Sequence, residues 1–109
     1  MLVYLPRLNL FKVEISEKLE KLVPGEHLEE SLNRHRSGDF GIISLKDWKE
    51  NEKDIRSKKG MVVSRFEYVT EAGALIEYIV CTDFKNKKTE VTEIEEDAQF
   101  IKDQLDRLK

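Results

Sequence analysis

Cysteine is nearly absent: Cys81 is the single one in 109 residues. An internal disulfide is therefore excluded, and the chain reads as one of a reducing compartment. Soft metal ligands are equally scarce. His27, His35 and Cys81 are the whole supply, and no two of them share a ligand spacing on one turn, so no metal and no cofactor is expected. No apolar run approaches the roughly 18 residues that span a bilayer. The opening residues Met1–Pro6 lack the basic start and long apolar region of a secretory signal. A cytoplasmic protein is the expectation. Charge of one sign is missing too. Lys and Arg number 19 against 22 Asp and Glu, for a net charge of −3. That balance lacks the basic excess that announces phosphate-backbone binding. Repeats, low-complexity stretches and linkers are absent, so residues 1–109 read as a single domain.

What is present is one modest core's worth of apolar residues, 39%, and a dense mixed-charge surface, 38% charged. The most distinctive wording is Gly38, Asp39, Phe40, Gly41 and the segment after it. Two glycines so close predict a tight turn that sends Phe40 inward and offers Asp39 to backbone donors. The alternative reading makes Asp39 an acid or ligand. A helix is predicted over Leu45–Lys59: Ser44 caps it, Asp47 sits in its first turn, and Gly60 ends it. Leu45, Trp48 and Ile55 share its inner face. Lys49, Lys53 and Arg56 point elsewhere.

Taken in order, residues 8–15 alternate, with Phe11, Val13 and Ile15 on one side, and predict a strand. Helices are predicted over Glu17–Val23, capped by Ser16, and over Glu26–Arg36, whose ends carry the charges the helix dipole prefers. His27 reads as a surface residue and His35 as a half-buried one. The period then changes to two. Strands are predicted over Met61–Val69, Leu75–Thr82 and Thr89–Ile94, joined by short loops, as an antiparallel meander. Val62, Phe66, Tyr68, Ile76, Tyr78 and Val80 form its core face. Its other face carries Arg65, Glu67, Glu77 and Cys81 among Met61, Val63, Leu75 and Ile79. A last amphipathic helix is predicted over Glu95–Leu108, with Ala98, Ile101, Leu105 and Leu108 in one stripe. That stripe is expected to cover the second sheet face.

Chemistry is thin. Cys81 inside an apolar strand lacks the base and electropositive pocket of a nucleophile. Glu67, Glu77 and Asp83, with Lys85, are the carboxylates a metal-dependent nuclease would want, without diagnostic spacing. Arg34, Arg36, Arg56, Lys58, Lys59 and Arg65 would have to converge to bind nucleic acid.

One resemblance exists. Arg34-His35-Arg36-Ser37-Gly38-Asp39-Phe40-Gly41, then Asp47-Trp48-Lys49-Glu50-Asn51-Glu52, then Lys59 to Tyr68, resemble the motifs of small bacterial proteins labelled plasmid-related. Those carry RH-x-x-GDWG, a D-W-x-x-N segment and GG-R-L-L-S-A-Y. The resemblance covers about residues 13–94. It departs where Phe40 replaces the motif's tryptophan and Ala72-Gly73 replaces a D-G hairpin. It implies carriage on a plasmid, phage or other mobile element, where such genes often encode interference with host defence.

The expected fold is α+β: short N-terminal helices and a central helix packed with a three-stranded antiparallel meander, a fourth strand from residues 8–15, and a C-terminal helix. The expected function is a small non-enzymatic protein-binding module of a mobile element, acting on a host nucleic-acid defence system of the restriction or CRISPR kind. The alternatives are a nucleic-acid-processing enzyme using the sheet carboxylates and a direct nucleic-acid binder. Expected contact residues are Arg56, Arg65, Glu67, Lys49 and Lys53. Gly38, Asp39, Phe40, Gly41 and Trp48 form the expected structural motif.

Overall fold

A computed structural model describes residues 6–94. The order is strand β1 (Lys12–Ile15), helices α1 (Glu17–Leu22), α2 (Gly25–Arg36) and α3 (Leu45–Ser57), then strands β2 (Met61–Val69), β3 (Leu75–Asp83) and β4 (Lys88–Glu93). The fold is α+β, with one sheet of order β1-β4-β3-β2. The pairs β2–β3 and β3–β4 are antiparallel, while β1 joins β4 in parallel. The sheet is therefore mixed, which corrects the expectation of a wholly antiparallel one. Short hairpins force antiparallel neighbours; the long connection from β1 to β4 imposes no such direction. The helix expected over Glu95–Leu108 lies outside the described residues.

The helices start where the sequence says. Ser16 and Ser44 accept hydrogen bonds from the amides of Leu19 and Asp47. The end of α3 differs. Lys58, at φ 55°, takes the left-handed cap expected of Gly60. Leu45, expected inside, is 70% exposed; the inner face is Trp48, Asn51 and Ile55. Strand β1 is also shorter than expected. Phe11 has φ 58°, and Asn9 Oδ1 accepts its amide at 2.8 Å, so the extended run starts only at Lys12.

Alternate strand residues face the helices. Leu19, Val23 and Leu28 pack there on Phe66, Tyr78, Val80 and Val91. A second cluster joins Leu8, Phe40, Ile55 and Val62, with Trp48 half-buried against it. The Phe40 and Trp48 rings meet edge to face, with centroids 5.0 Å apart. On the opposite sheet face Val63, Ile79 and Cys81 are buried with Met61 and Ile94 beside them. The apolar middle of that face is thus buried. Arg65 and Glu77 pair at 2.9 Å beyond it.

An edge strand leaves every second residue with an outward amide and carbonyl. On β2 these are answered one after another. The Met61 amide reaches the Asp54 carboxylate. Asn51 Nδ2 donates to the Val63 carbonyl at 2.9 Å, and the Val63 amide donates to Asn51 Oδ1 at 3.1 Å. The Arg65 amide donates to the Phe40 carbonyl, and the Ile42 amide donates to the Arg65 carbonyl. His27 Nε2 then donates to the Glu67 carbonyl at 3.2 Å. The glycine turn exists for the third of these. A Cβ on Gly41, at φ 71°, would stand 2.1 Å from the Arg65 oxygen.

Candidate functional site

Ser64 and His35 are the closest thing to a nucleophile and base, with Ser64 Oγ 2.6 Å from His35 Nδ1. Both are 0% exposed, so no substrate reaches them. His35 was expected half-buried; it is wholly enclosed because the strands present a polar row on their inner face. The hydrogens in that row can be assigned. Thr89 Oγ1 donates to the Leu10 carbonyl at 2.6 Å. Thr82 therefore donates to Thr89 at 2.7 Å and accepts from His35 Nε2–H at 2.9 Å. Nδ1 is left to accept from Ser64. Every member is satisfied with a neutral imidazole. Burial without a carboxylate pushes its pKa down to about 3. This is a structural bolt through β2, β3 and β4, and its chemistry is positional.

The sheet carboxylates do not converge. Glu67 lies opposite Glu77, but Asp83 lies opposite Met61, six residues or about 20 Å along the strand. Asp83 is occupied in the turn, accepting from the amides of Lys85 and Asn86. Asp39 is likewise committed. Arg34 Nε donates to it at 2.8 Å, and this pair, with the Gly41 amide, holds its carboxyl below the usual range. Among the described residues no three His, Cys, Asp or Glu side chains come together to hold a metal.

The expected contact residues separate into two places. Lys49, Lys53 and Arg56, four and three apart, lie exposed on one side of α3. Arg65 and Glu67 lie on the second sheet face, and Arg65 is tied to Glu77. The structure does not bring these two sets into one site.

A site the sequence reading missed lies at the end of α3. A cavity of about 340 Å³ is floored by Leu8, Phe11, Ile55 and Phe84 and rimmed by Arg7, Asn9, Lys58 and Lys87. The Phe11 and Phe84 rings stand edge to face, 6.3 Å apart. Arg7 donates to Glu52 through both terminal nitrogens, which raises the arginine pKa and lowers that of the glutamate. Lys58 and Lys87 make no ion pair among the described residues. Backbone strain collects here. Phe11, Lys58 and Lys87 are the three non-glycine residues with positive φ among the described residues, and all three line this cavity. Each sits in a conformation that costs about 1–2 kcal/mol for a residue with a Cβ. Strain of this kind gathers where a surface is shaped for contact. The lining combines an apolar, partly aromatic floor with lysines that have no ion-pair partner among the described residues. Nothing in the sequence marked it, since Phe11, Lys58 and Lys87 are residues that ordinarily avoid left-handed backbone.

Comparison with family models, curated proteins and solved structures finds no match to this chain. Among the described residues no helix is long and apolar enough to cross a membrane.

Proposed function

We propose that this chain is a small non-enzymatic protein-binding module whose cavity takes one apolar side chain flanked by carboxylates from its partner. The observation that carries this is the cavity between α3 and the β3–β4 turn, with Lys58 and Lys87 at its mouth. An apolar anchor fills Leu8, Phe11, Ile55 and Phe84; the flanking carboxylates meet the two ammonium groups. Lys49, Lys53 and Arg56 extend the cationic surface along α3 and supply long-range attraction. A cytoplasmic setting rests on the scarcity of cysteine; carriage on a plasmid or phage and interference with a host nucleic-acid defence system rest on the motif resemblance, and they are the setting in which such a module acts.

The test uses a peptide with one phenylalanine flanked by aspartates, titrated into isotopically labelled protein. Shifts are expected at Leu8, Phe11, Ile55 and Phe84. Lys58→Glu with Lys87→Glu should abolish them, and a peptide with lysine flanks should give none. Binding that survives the double change removes the cavity from the proposal. Magnesium-dependent cleavage of DNA or RNA would transfer the reading to the enzyme alternative. Lys58→Gly sharpens the point, because it relieves the left-handed backbone. It should stabilise the fold by about 1 kcal/mol while weakening the peptide.

A further inference from the structure

We propose that β1 is a self-complementary edge that pairs antiparallel with β1 of a second copy, across a two-fold axis at Val13, joining the two sheets into one. The inference does not depend on what fills the cavity.

Strand β1 ends the sheet. The Ser16 amide donates to the Val91 carbonyl, so positions 12, 14 and 16 turn their backbone groups toward β4. Val13 and Ile15 turn theirs outward, where no described residue hydrogen-bonds to them. Lys12, Val13 and Glu14 are exposed, Val13 to 38%, while Ile15 is half-buried against the core. No proline interrupts the strand.

The charges say what belongs there. In the parallel register Lys12 stands opposite Lys88 and Glu14 opposite Glu90. Like charges directly opposite each other are unfavourable. Inside the chain their close ion pairs run along their own strands, Lys12 to Glu14 at 3.5 Å and Lys88 to Glu90 at 2.7 Å, with weaker attraction of Lys88 to Glu14 and Asp83 across the strands. On the free side, antiparallel pairing about Val13 reverses this. Lys12 meets Glu14 of the second copy, and Glu14 meets its Lys12. Val13 meets Val13 in a hydrogen-bonded pair, exchanging both outward amides and carbonyls. The same patch is used on both copies, so the contact closes as a two-fold dimer and does not grow into a fibre. Four residues a side make a small interface, so the association is weak and chain concentration is the variable that reveals it.

Sedimentation equilibrium from about 10 µM to about 1 mM chain tests it. The weight-average mass should climb from 12.8 kDa toward twice that value. The Val13 amide should gain exchange protection over the same range. Lys12→Glu sets carboxylate against carboxylate between copies while facing Lys88 within its own chain. It should remain monomeric with an undiminished melting temperature. Adding Glu14→Lys to it restores opposite signs and should restore the dimer. Val13→Pro removes an outward amide only and should also give monomer. A wild-type mass fixed at 12.8 kDa throughout overturns the proposal. So does a dimer indifferent to Lys12→Glu and Val13→Pro.

Discussion

The two edges of this sheet are built in opposite ways. Along β2 both outward backbone groups of Val63 and Arg65 are answered, by α3 and the glycine turn, and so are the Met61 amide, by α3, and the Glu67 carbonyl, by α2. Along β1 none of the outward groups of Val13 and Ile15 has one among the described residues. An exposed edge is an aggregation hazard that proteins normally manage. Here the nine-residue edge is covered over Met61 to Glu67, and the four-residue edge is left open among the described residues. The unusual local wording of the chain, Gly38 to Gly41 and Asn51, is accounted for by the sealing of the first. The alternation of Lys12, Val13 and Glu14 is accounted for by the openness of the second.

Breaking the seal should have the largest effect. Gly41→Ala puts a methyl 2.1 Å from the Arg65 carbonyl oxygen at φ 71°. The segment must leave the edge, and a loss of about 4 kcal/mol or more is expected in urea unfolding. Gly73, at φ 85° but with nothing within 4 Å, is the control and should cost only about 1 kcal/mol as alanine. Equal costs at the two sites would mean that Gly41 matters for its backbone alone.

Asn51→Ala comes next. It strands the buried amide and carbonyl of Val63 together, for about 3 kcal/mol. A loss under about 1 kcal/mol would mean that water takes over the asparagine's place and that the edge is less enclosed than its burial indicates.

The His35 bolt links the two edges. It runs from Ser64 on the sealed strand through Thr82 and Thr89 to the Leu10 carbonyl, just before β1. The imidazole's folded pKa of about 3 lies below its unfolded value near 6.5. The unfolded chain therefore takes the proton first. The stabilisation is complete above about pH 6.5 and is lost as pH falls toward 3. A loss of about 2–3 kcal/mol is expected by pH 4.5. Asp39 and Glu52, held low by Arg34 and Arg7, lose theirs only further down, through the carboxylate range. Unfolding free energies that stay flat between pH 7 and pH 4.5 would show that His35 can charge in place.

Much of this was legible because it is local. Ser16 and Ser44 announced helix starts, and the period-two runs from Met61 onward announced strands. What was hidden depends on distant partners. The burial of His35 could have been suspected, since Ser64, Thr82 and Thr89 all fall on the inward face and a polar row there demands a polar answer. The parallel seat of β1 could not, because no hairpin dictates it. The cavity was hidden for a different reason. Left-handed backbone at Phe11, Lys58 and Lys87 has no signature in residues that ordinarily avoid it. The expected contact set of Lys49, Lys53, Arg56, Arg65 and Glu67 was a list of exposed charges, and exposure alone did not predict convergence.

The smallest effect belongs to the open edge, and it is the sharpest comparison. Val13→Thr keeps the β-branched shape and adds a hydroxyl. At 38% exposure that hydroxyl reaches water, and the strand keeps a residue that favours extended backbone. A change within about 0.5 kcal/mol is expected for dilute protein. Val63→Thr makes the same chemical change on the sealed edge, where the side chain is 2% exposed. Its two backbone groups are already taken by Asn51, and the side-chain cluster around it is Ile79 and Cys81 with Met61 and Ile94. A hydroxyl enclosed there without a partner should cost about 1–3 kcal/mol. The two variants are isosteric, so packing volume cancels and the difference reads how enclosed each side chain is, Val63 in the cluster on the second sheet face and Val13 at the open strand. If both changes cost the same in urea melts of dilute protein, the Val13 side chain is as enclosed as that of Val63.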